Sequence, residues 1–312
     1  MDNLLEAINV SKKLEGVWRL YNINILVKKG DLVGIIGPSG AGKTVFLKTI
    51  SGFYKPETGL IYVDSQDLNL NKLAQKKIGF STQSCSFYPD LSIEDNLYYF
   101  GKIYGIDKKT VKDRIDNILE MVGLPENKKT KAKYLSGGMQ RRLDIACALI
   151  HDPDLLILDE PIANLDPMLR EKIIELIQNI NKNGKTILIS SHFMNDIESI
   201  CTKLLVIKEG YALTFGTPKE IRDQYSNIFE IAVRTFPGKY NLILNYIQQF
   251  DIKIKNSYVK NNCLYIHVPK DRQPATYLKL IFDSLLNTNE NLIGINLNTL
   301  SIDELFSEML RK

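Results

Sequence analysis

Residues 31–44, DLVGIIGPSGAGKT, decide how the rest of the chain is read. Leu32, Val33, Ile35 and Ile36 make an apolar run of the length of a strand buried on both faces. The run stops at Gly37. A loop of Gly37, Pro38, Ser39, Gly40, Ala41 and Gly42 follows, closed by Lys43, Thr44 and an apolar helical run. The pattern is G-x-x-x-x-G-K-[ST] with a strand before it and a helix after it. A polyphosphate has to be wrapped by backbone N–H groups, and residues with little or no Cβ let the main chain come close. The helix that begins there points the positive end of its dipole at the same place. Lys43 adds a compact charge for the outer phosphates, and Thr44 a hydroxyl for Mg²⁺.

The remaining 300 or so residues set the frame for that loop. A chain of 312 residues is long enough for about two domains. A net charge of +4, spread along the chain, is too mild to argue for nucleic acid. Cys85, Cys147, Cys201 and Cys263 are widely scattered with no C-x-x-C spacing, so buried free thiols in a reducing compartment are expected rather than a disulfide or metal framework. The N-terminus lacks the basic region and apolar core of a signal peptide. No apolar run approaches the ~20 residues that span a bilayer. A soluble protein is expected, with any membrane role exercised through a partner.

Outward from the loop, 4–10, 20–27, 59–63 and 78–81 read as strands. Gln83 opens a polar and aromatic loop, SCSFYPDLSIED. Helices are expected near 93–104, 109–122 and 137–150, then a buried strand, Leu155-Leu156-Ile157-Leu158, that runs into Asp159-Glu160-Pro161. A helix over about 168–182 precedes a strand at 186–190, with His192 directly after it, and 204–207 with 212–215 reads as a closing hairpin. Near Tyr225 the character changes. The tail reads as strand (228–234), helix (239–250), strand (252–259), strand (262–268), helix (274–286), strand (291–298) and helix (301–310). That order, β-α-β-β-α-β, is the one of a ferredoxin-like unit.

A carboxylate at the end of an apolar strand is costly unless it binds something, and beside a phosphate loop Asp159 is suited to Mg²⁺. Glu160, one residue further from the core, is placed to take a proton from an attacking water. Leu135-Ser136-Gly137-Gly138-Met139-Gln140 is a second anion-binding helix start: Ser136 is an N-cap type and two glycines leave the N–H groups bare. One chain rarely needs two such starts for one phosphate, unless the second serves a neighbouring subunit.

The order GPSGAGKT, Gln83, LSGGMQRR, LLILDEP, Asn164-Leu165-Asp166 and His192 resembles the ABC-type ATPases over about residues 4–222. The resemblance implies an α/β fold: a P-loop NTPase core with an antiparallel β layer and a helical subdomain. This ATP-binding domain is expected over 1–225, with a small C-terminal α+β (ferredoxin-like) domain over 226–312. It further implies ATP and Mg²⁺ as ligands, held by Gly37 to Thr44, with Gln83 and Asp159 attending Mg²⁺ and water and Thr44 contributing its hydroxyl. Glu160 is the implied catalytic base, His192 the γ-phosphate contact and Asp166 a dimer contact. Ser136, Gly137 and Gly138 are implied to cap the ATP of a paired cassette. The aromatic residue that the family sets under adenine falls at Leu14 here, and Trp18 or Tyr21 are the available substitutes.

FYPDLSIEDNL and the segment 135–161 resemble exporter-type cassettes that pair with separate integral-membrane subunits, at the inner face of the cell membrane. Phe87, Tyr88 and Leu91 lie in the loop expected to meet that subunit. The competing class is a soluble ABC-type ATPase acting on nucleic acid or ribosomes. Such proteins usually carry two cassettes or a long coiled-coil insertion, whereas about fifty residues separate Gln83 from Leu135, with no sustained heptads and one phosphate loop in the chain. The exporter motor, a homodimer or a paired heterodimer with no nucleic-acid partner, is the stronger expectation.

Overall fold

The computed structural model describes residues 3–192, 197–225, 228–250 and 254–299. Two compact units divide after Pro218, so the helix Pro218–Tyr225 straddles that division.

The first unit is built on one sheet of ten strands. In chain order these are β1 (Asn3–Leu14), β2 (Val17–Lys28), β3 (Leu32–Ile36), β4 (Thr58–Val63), β5 (Gln66–Asp67), β6 (Ile78–Ser81), β7 (Leu155–Leu158), β8 (Thr186–Ser191), β9 (Lys203–Lys208) and β10 (Tyr211–Gly216). Their spatial order is β5-β4-β1-β2-β10-β9-β3-β8-β7-β6. The expected antiparallel layer is therefore one half of a continuous sheet, joined to the other half where Tyr211 of β10 pairs with Tyr21 of β2. β3 is parallel to β8 and β9, and β7 to β6 and β8. β3 and β7 are buried at every residue, as strands covered on both faces must be. β1 and β2 run twelve residues each and turn at Glu15 and Gly16, both at positive φ.

α1 (Lys43–Ile50) follows the phosphate loop and buries Phe46, Leu47 and Ile50 in the core between the two halves of the sheet. α2 (Lys72–Lys76) is a short helix that the sequence reading did not anticipate. α3 (Ile93–Ile103), α4 (Lys108–Met121) and α5 (Gly137–Leu149) form the helical part. α3 starts at Ser92, whose Oγ accepts from Asp95 N at 3.1 Å, and α4 at Asp107, whose carboxylate accepts from Lys109 N and Thr110 N. Such caps satisfy N–H groups that the first turn leaves open. α6 (Pro167–Lys182) buries Ile173, Leu176, Ile177 and Ile180.

The second unit, after α7 (Pro218–Tyr225), has β11 (Ile228–Phe236), α8 (Tyr240–Gln248), β12 (Asn256–Lys260), β13 (Cys263–Pro269), α9 (Pro274–Thr288) and β14 (Asn291–Thr299). The sheet order is β12-β13-β11-β14 with every pair antiparallel. Ile231, Val233, Leu264, Ile266 and Val268 alternate along their strands and pack with Tyr240, Ile243, Ile247, Tyr277 and Ile281 of the helices. The helix expected over 301–310 lies outside the described residues. The tail also holds a polar cluster that its sequence reading missed: Glu230 Oε2 lies 3.2 Å from His267 Nε2 and accepts from Tyr258 Oη at 3.3 Å. Three of the four thiols are buried as expected, but Cys85 is exposed, because the loop after Gln83 runs over the surface.

Candidate functional site

Parallel strands deliver whatever follows them to one edge of the sheet. The phosphate loop follows β3, the 82–86 loop follows β6, Asp159-Glu160 follow β7, and His192 follows β8. Four segments separated by up to about 150 residues of chain therefore meet.

Gly42 caps α1 in the left-handed region, φ 107°, where a Cβ is disfavoured. Gly37 is required for a different reason: a Cβ there would lie 2.3 Å from the carbonyl oxygen of Ile207. Lys43 Nζ donates to the carbonyls of Gly37 (2.8 Å) and Pro38 (3.3 Å) and stands 3.4 Å from Glu160 Oε1. Thr44 Oγ1 donates to Asp159 Oδ1 at 3.1 Å, and Ser190 Oγ donates to the same oxygen at 2.7 Å. Ser190 Oγ also accepts from Glu160 N at 2.9 Å. The other Glu160 oxygen lies 2.6 Å from His192 Nδ1. Asp159 and Glu160 are both buried, and Glu160 holds φ 51°, a conformation that side-chain-bearing residues adopt at a cost.

A cavity of about 450 Å³ opens over the loop, lined by Ser39, Gly40, Gly42, Lys43, Thr44, Gln83 and Glu160, and further out by Leu14, Glu15 and Arg19. The structure thus gathers the loop, Gln83, Asp159, Glu160 and His192. It does not bring Ser136–Gly138 to that cavity. Ser136 and Gly137 are exposed, at the N-terminus of α5, where Ser136 Oγ accepts from Met139 N at 3.4 Å. Asp166 is exposed as the N-cap of α6, accepting from Leu169 N at 2.9 Å. Neither Trp18 nor Tyr21 lines the cavity.

Sequence reasoning missed the residues that hold Gln83 in place. Arg141 on α5 donates to the carbonyls of Thr82 (2.8 Å) and Gln83 (3.0 Å). Asp144, one turn on, accepts from Ser81 Oγ and from Ser86 N at 2.7 Å. Burial pushes the Asp144 carboxyl above its ordinary range, against those hydrogen bonds and Arg141. The available signal was an aspartate inside the apolar run LDIACAL, which needs buried partners.

A family model described as ABC transporter matches residues 20–163. The linearmycin resistance ATP-binding protein LnrL of Bacillus subtilis is 36% identical over 219 residues, 70% of this chain and 70% of that protein. This chain belongs to the ABC transporter ATP-binding proteins. The Nod factor export ATP-binding protein I of Cupriavidus metallidurans is 36% identical over 72% of the cassette chain and 74% of its own. The spermidine/putrescine import ATP-binding protein PotA of Fusobacterium nucleatum is 34% identical over 76% of this chain and 62% of its own. Among solved structures, cbiO1 from Clostridium perfringens, part of the ABC transporter complex cbiONQ, matches with TM-score 0.66 and 28% identity over 72% of this chain and 92% of that one. The cassette MJ0796, in a dimeric post-hydrolysis state bound to ADP and Pi, matches with TM-score 0.61 and 28% identity over 69% and 99%. The cassette is accordingly the ATP-binding subunit of an ABC transporter and an ATPase, and its relatives include export and import types.

Proposed function

We propose that this cassette drives export through a separate integral-membrane subunit, hydrolysing Mg²⁺·ATP in a dimer of cassettes at the inner face of the membrane. The observation that carries the chemistry is the junction at Glu160, whose two carboxylate oxygens face Lys43 Nζ and His192 Nδ1 at the rim of the phosphate-loop cavity. In this reading the amides from Gly37 to Thr44 and Lys43 hold the phosphates, and Glu160 takes the proton of the attacking water. His192 orients Glu160 and reaches the terminal phosphate.

The Thr44 hydroxyl and the Asp159 carboxylate, already hydrogen-bonded to each other, with the Gln83 amide on the same cavity, are the hard oxygen donors that Mg²⁺ takes beside phosphate and water. Bound there, the ion would neutralise charge on the phosphates. Three observations support the remaining parts. Ser136 and Gly137 are exposed, and their turn lies away from its own chain's cavity, as a turn serving a partner's nucleotide would. A cassette of similar fold is a dimer with ADP and Pi. Nod factor export proteins of several organisms are among the relatives, at 30–36% identity.

The membrane subunit has a fitting surface. Tyr88, Tyr99 and Ile103 are exposed, and buried Asn96 pins the Tyr88 loop by accepting from Tyr88 N (2.7 Å) and donating to its carbonyl (3.0 Å). Beside Ile103 a groove of about 670 Å³ is lined by Phe53 and Tyr104 and by Lys48, Lys72 and Lys76. That charge suits an acidic, partly apolar segment of the partner. We read residues 226–312 as a separate module that regulates or supports the dimer, so residues 1–225 expressed alone should remain folded.

The deciding experiment is Glu160→Gln. Phosphate release should fall by about 10²–10⁴-fold while ATP binding persists, and an unchanged rate removes the assignment. For the partner, the cassette should co-purify with a polytopic membrane protein from detergent-solubilised membranes. Lys48→Glu with Lys76→Glu should abolish that capture without lowering ATPase activity.

A further inference from the structure

The tail unit leaves one edge of its sheet open. β14 stands at the end of the order β12-β13-β11-β14, and no strand of the described residues pairs with its outer side. Its nine residues, Asn291–Thr299, include no charge and no proline. Natural sheets blunt an edge by keeping it short, charging it or covering it. The opposite edge follows that rule: β12 has five residues and ends in Lys260. On β14 the one interruption is an extra residue, Ile293, opposite the step from Arg234 to Thr235. Beyond it, Gly294 to Thr299 keep unbroken register with β11.

Apolar side chains flank this edge. α9 packs on β14 and lies beside α8, where Asn287 Nδ2 donates to Tyr246 Oη at 3.1 Å. Tyr277, Ile281 and Leu285 face the sheet. With the helix turning about 100° per residue, Phe282 and Leu286 fall on the flank away from α8, on the β14 side. They are 44% and 79% exposed, and Leu292 and Ile293 of β14 are 38% and 61% exposed. Together the four offer roughly 400 Å² of apolar surface, a size at which a patch commonly marks an interaction site.

We propose that this face is where the tails of two copies of the chain pair, β14 against β14 across a two-fold axis, joining their four-stranded sheets into one, with Phe282 and Leu286 of each copy packed over the seam. A two-fold axis in the plane of pairing sets a strand antiparallel to its own copy, so an open edge needs no sequence but its own. β14 brings no like charges to that axis; Lys279 and Arg234, both exposed, only border the patch. With the open main chain included, each copy would bury roughly 600 Å², about 1,200 Å² in all, the lower limit of a stable interface. Cassettes that pair, as the similar cassette with ADP and Pi does, raise the concentration of one tail at the other. The inference rests on the reading of the tail as a module that supports the dimer, and it adds the surface that does so.

The test uses the full-length protein without nucleotide. Light scattering should show a dimer that dissociates on dilution through the micromolar range. Leu286→Glu combined with Ile293→Glu changes exposed side chains only, sets like charges across the axis, and should weaken the dimer at least tenfold. Val259→Glu, exposed on the opposite edge, should leave it unchanged. Asn296, exposed in the middle of β14, gives a second readout. Asn296→Cys should cross-link to its own copy through a short bismaleimide, whereas Val259→Cys should not; both are made with Cys85→Ser, because Cys85 is an exposed thiol. A chain that stays monomeric at the highest concentration overturns the inference. So does a dimer indifferent to the paired glutamates but dissolved by Val259→Glu. The cassettes are read separately, by adding ATP and Mg²⁺ to the Glu160→Gln protein. A protein monomeric alone but dimeric with ATP overturns the tail interface and leaves the cassette reading intact. Cross-linking at Asn296→Cys with no tightening by ATP supports the tail interface and overturns the cassette dimer.

Discussion

His151 sits just past the end of α5 with its ring stacked on Tyr104, centroids 3.6 Å apart and planes within 2°. Nε2 lies 3.1 Å from the carbonyl oxygen of Ile78, while Nδ1 is buried without a partner. Protonating Nδ1 would place a cation with an unsatisfied N–H in that pocket. Burial first, then the charges of Arg114 and Lys185, lower the pKa from 6.5 to about 4. The sign follows from linkage. Below pH 6.5 the unfolded chain takes up a proton that the folded chain refuses, so the stability present at pH 7 drains away as pH falls towards 4, and no further loss comes from this group below that. At ~1.4 kcal/mol per pH unit, the gap between the two values is worth about 3 kcal/mol, and partial solvent access trims it to about 2–3. His151→Phe keeps a ring on Tyr104 and cannot titrate, at a cost of about 1 kcal/mol for the bond to Ile78. Urea unfolding can be followed by fluorescence of Trp18, the only tryptophan and a residue of the first unit. Measured from pH 7 to 4.5, the parent should lose its initial advantage and fall below the variant. A parent–variant difference constant to about 0.5 kcal/mol across that range would refute the reasoning.

The site offers three further tests. Ser190→Ala removes the donor to Asp159 and the acceptor of Glu160 N, so thermal unfolding should report a loss of about 2–4 kcal/mol and steady-state assays a lower kcat. Gly37→Ala forces a Cβ against the Ile207 carbonyl; the loop must shift, and ATP affinity should drop at least tenfold in an equilibrium titration. Arg141→Ala frees the carbonyls of Thr82 and Gln83, so kcat should fall with little change in ATP affinity, and equal losses in both would mean a general disruption of the site.

Much of the cassette was written locally. The phosphate loop, the Asp159-Glu160 pair, the Ser136 cap and most element boundaries follow from residue types at short spacing, because caps, turns and buried strands are short-range phenomena. β5, α2 and the full length of the β1–β2 hairpin were not legible: α2 is five residues long, and the outer end of the hairpin is held by cross-strand pairs, Lys13 with Trp18 and Leu14 with Val17, rather than by an apolar pattern of its own.

The residues themselves determined that a phosphate loop, a strand-end carboxylate pair and a second anion-binding helix start exist in one chain. Only the tertiary structure decided that the first two meet and the third stands apart. It also decided that the tail's Glu230, His267 and Tyr258 converge, that the aromatic rings near Leu14 are already stacked on each other or under Lys13, and that Arg141 and Asp144 hold the Gln83 loop. Apart from the local pair of Lys13 and Trp18, these are contacts between segments about 30 to 190 residues apart. The parallel order of β3, β8, β7 and β6 fixes which loop ends share an edge, and no local preference of the chain encodes that order.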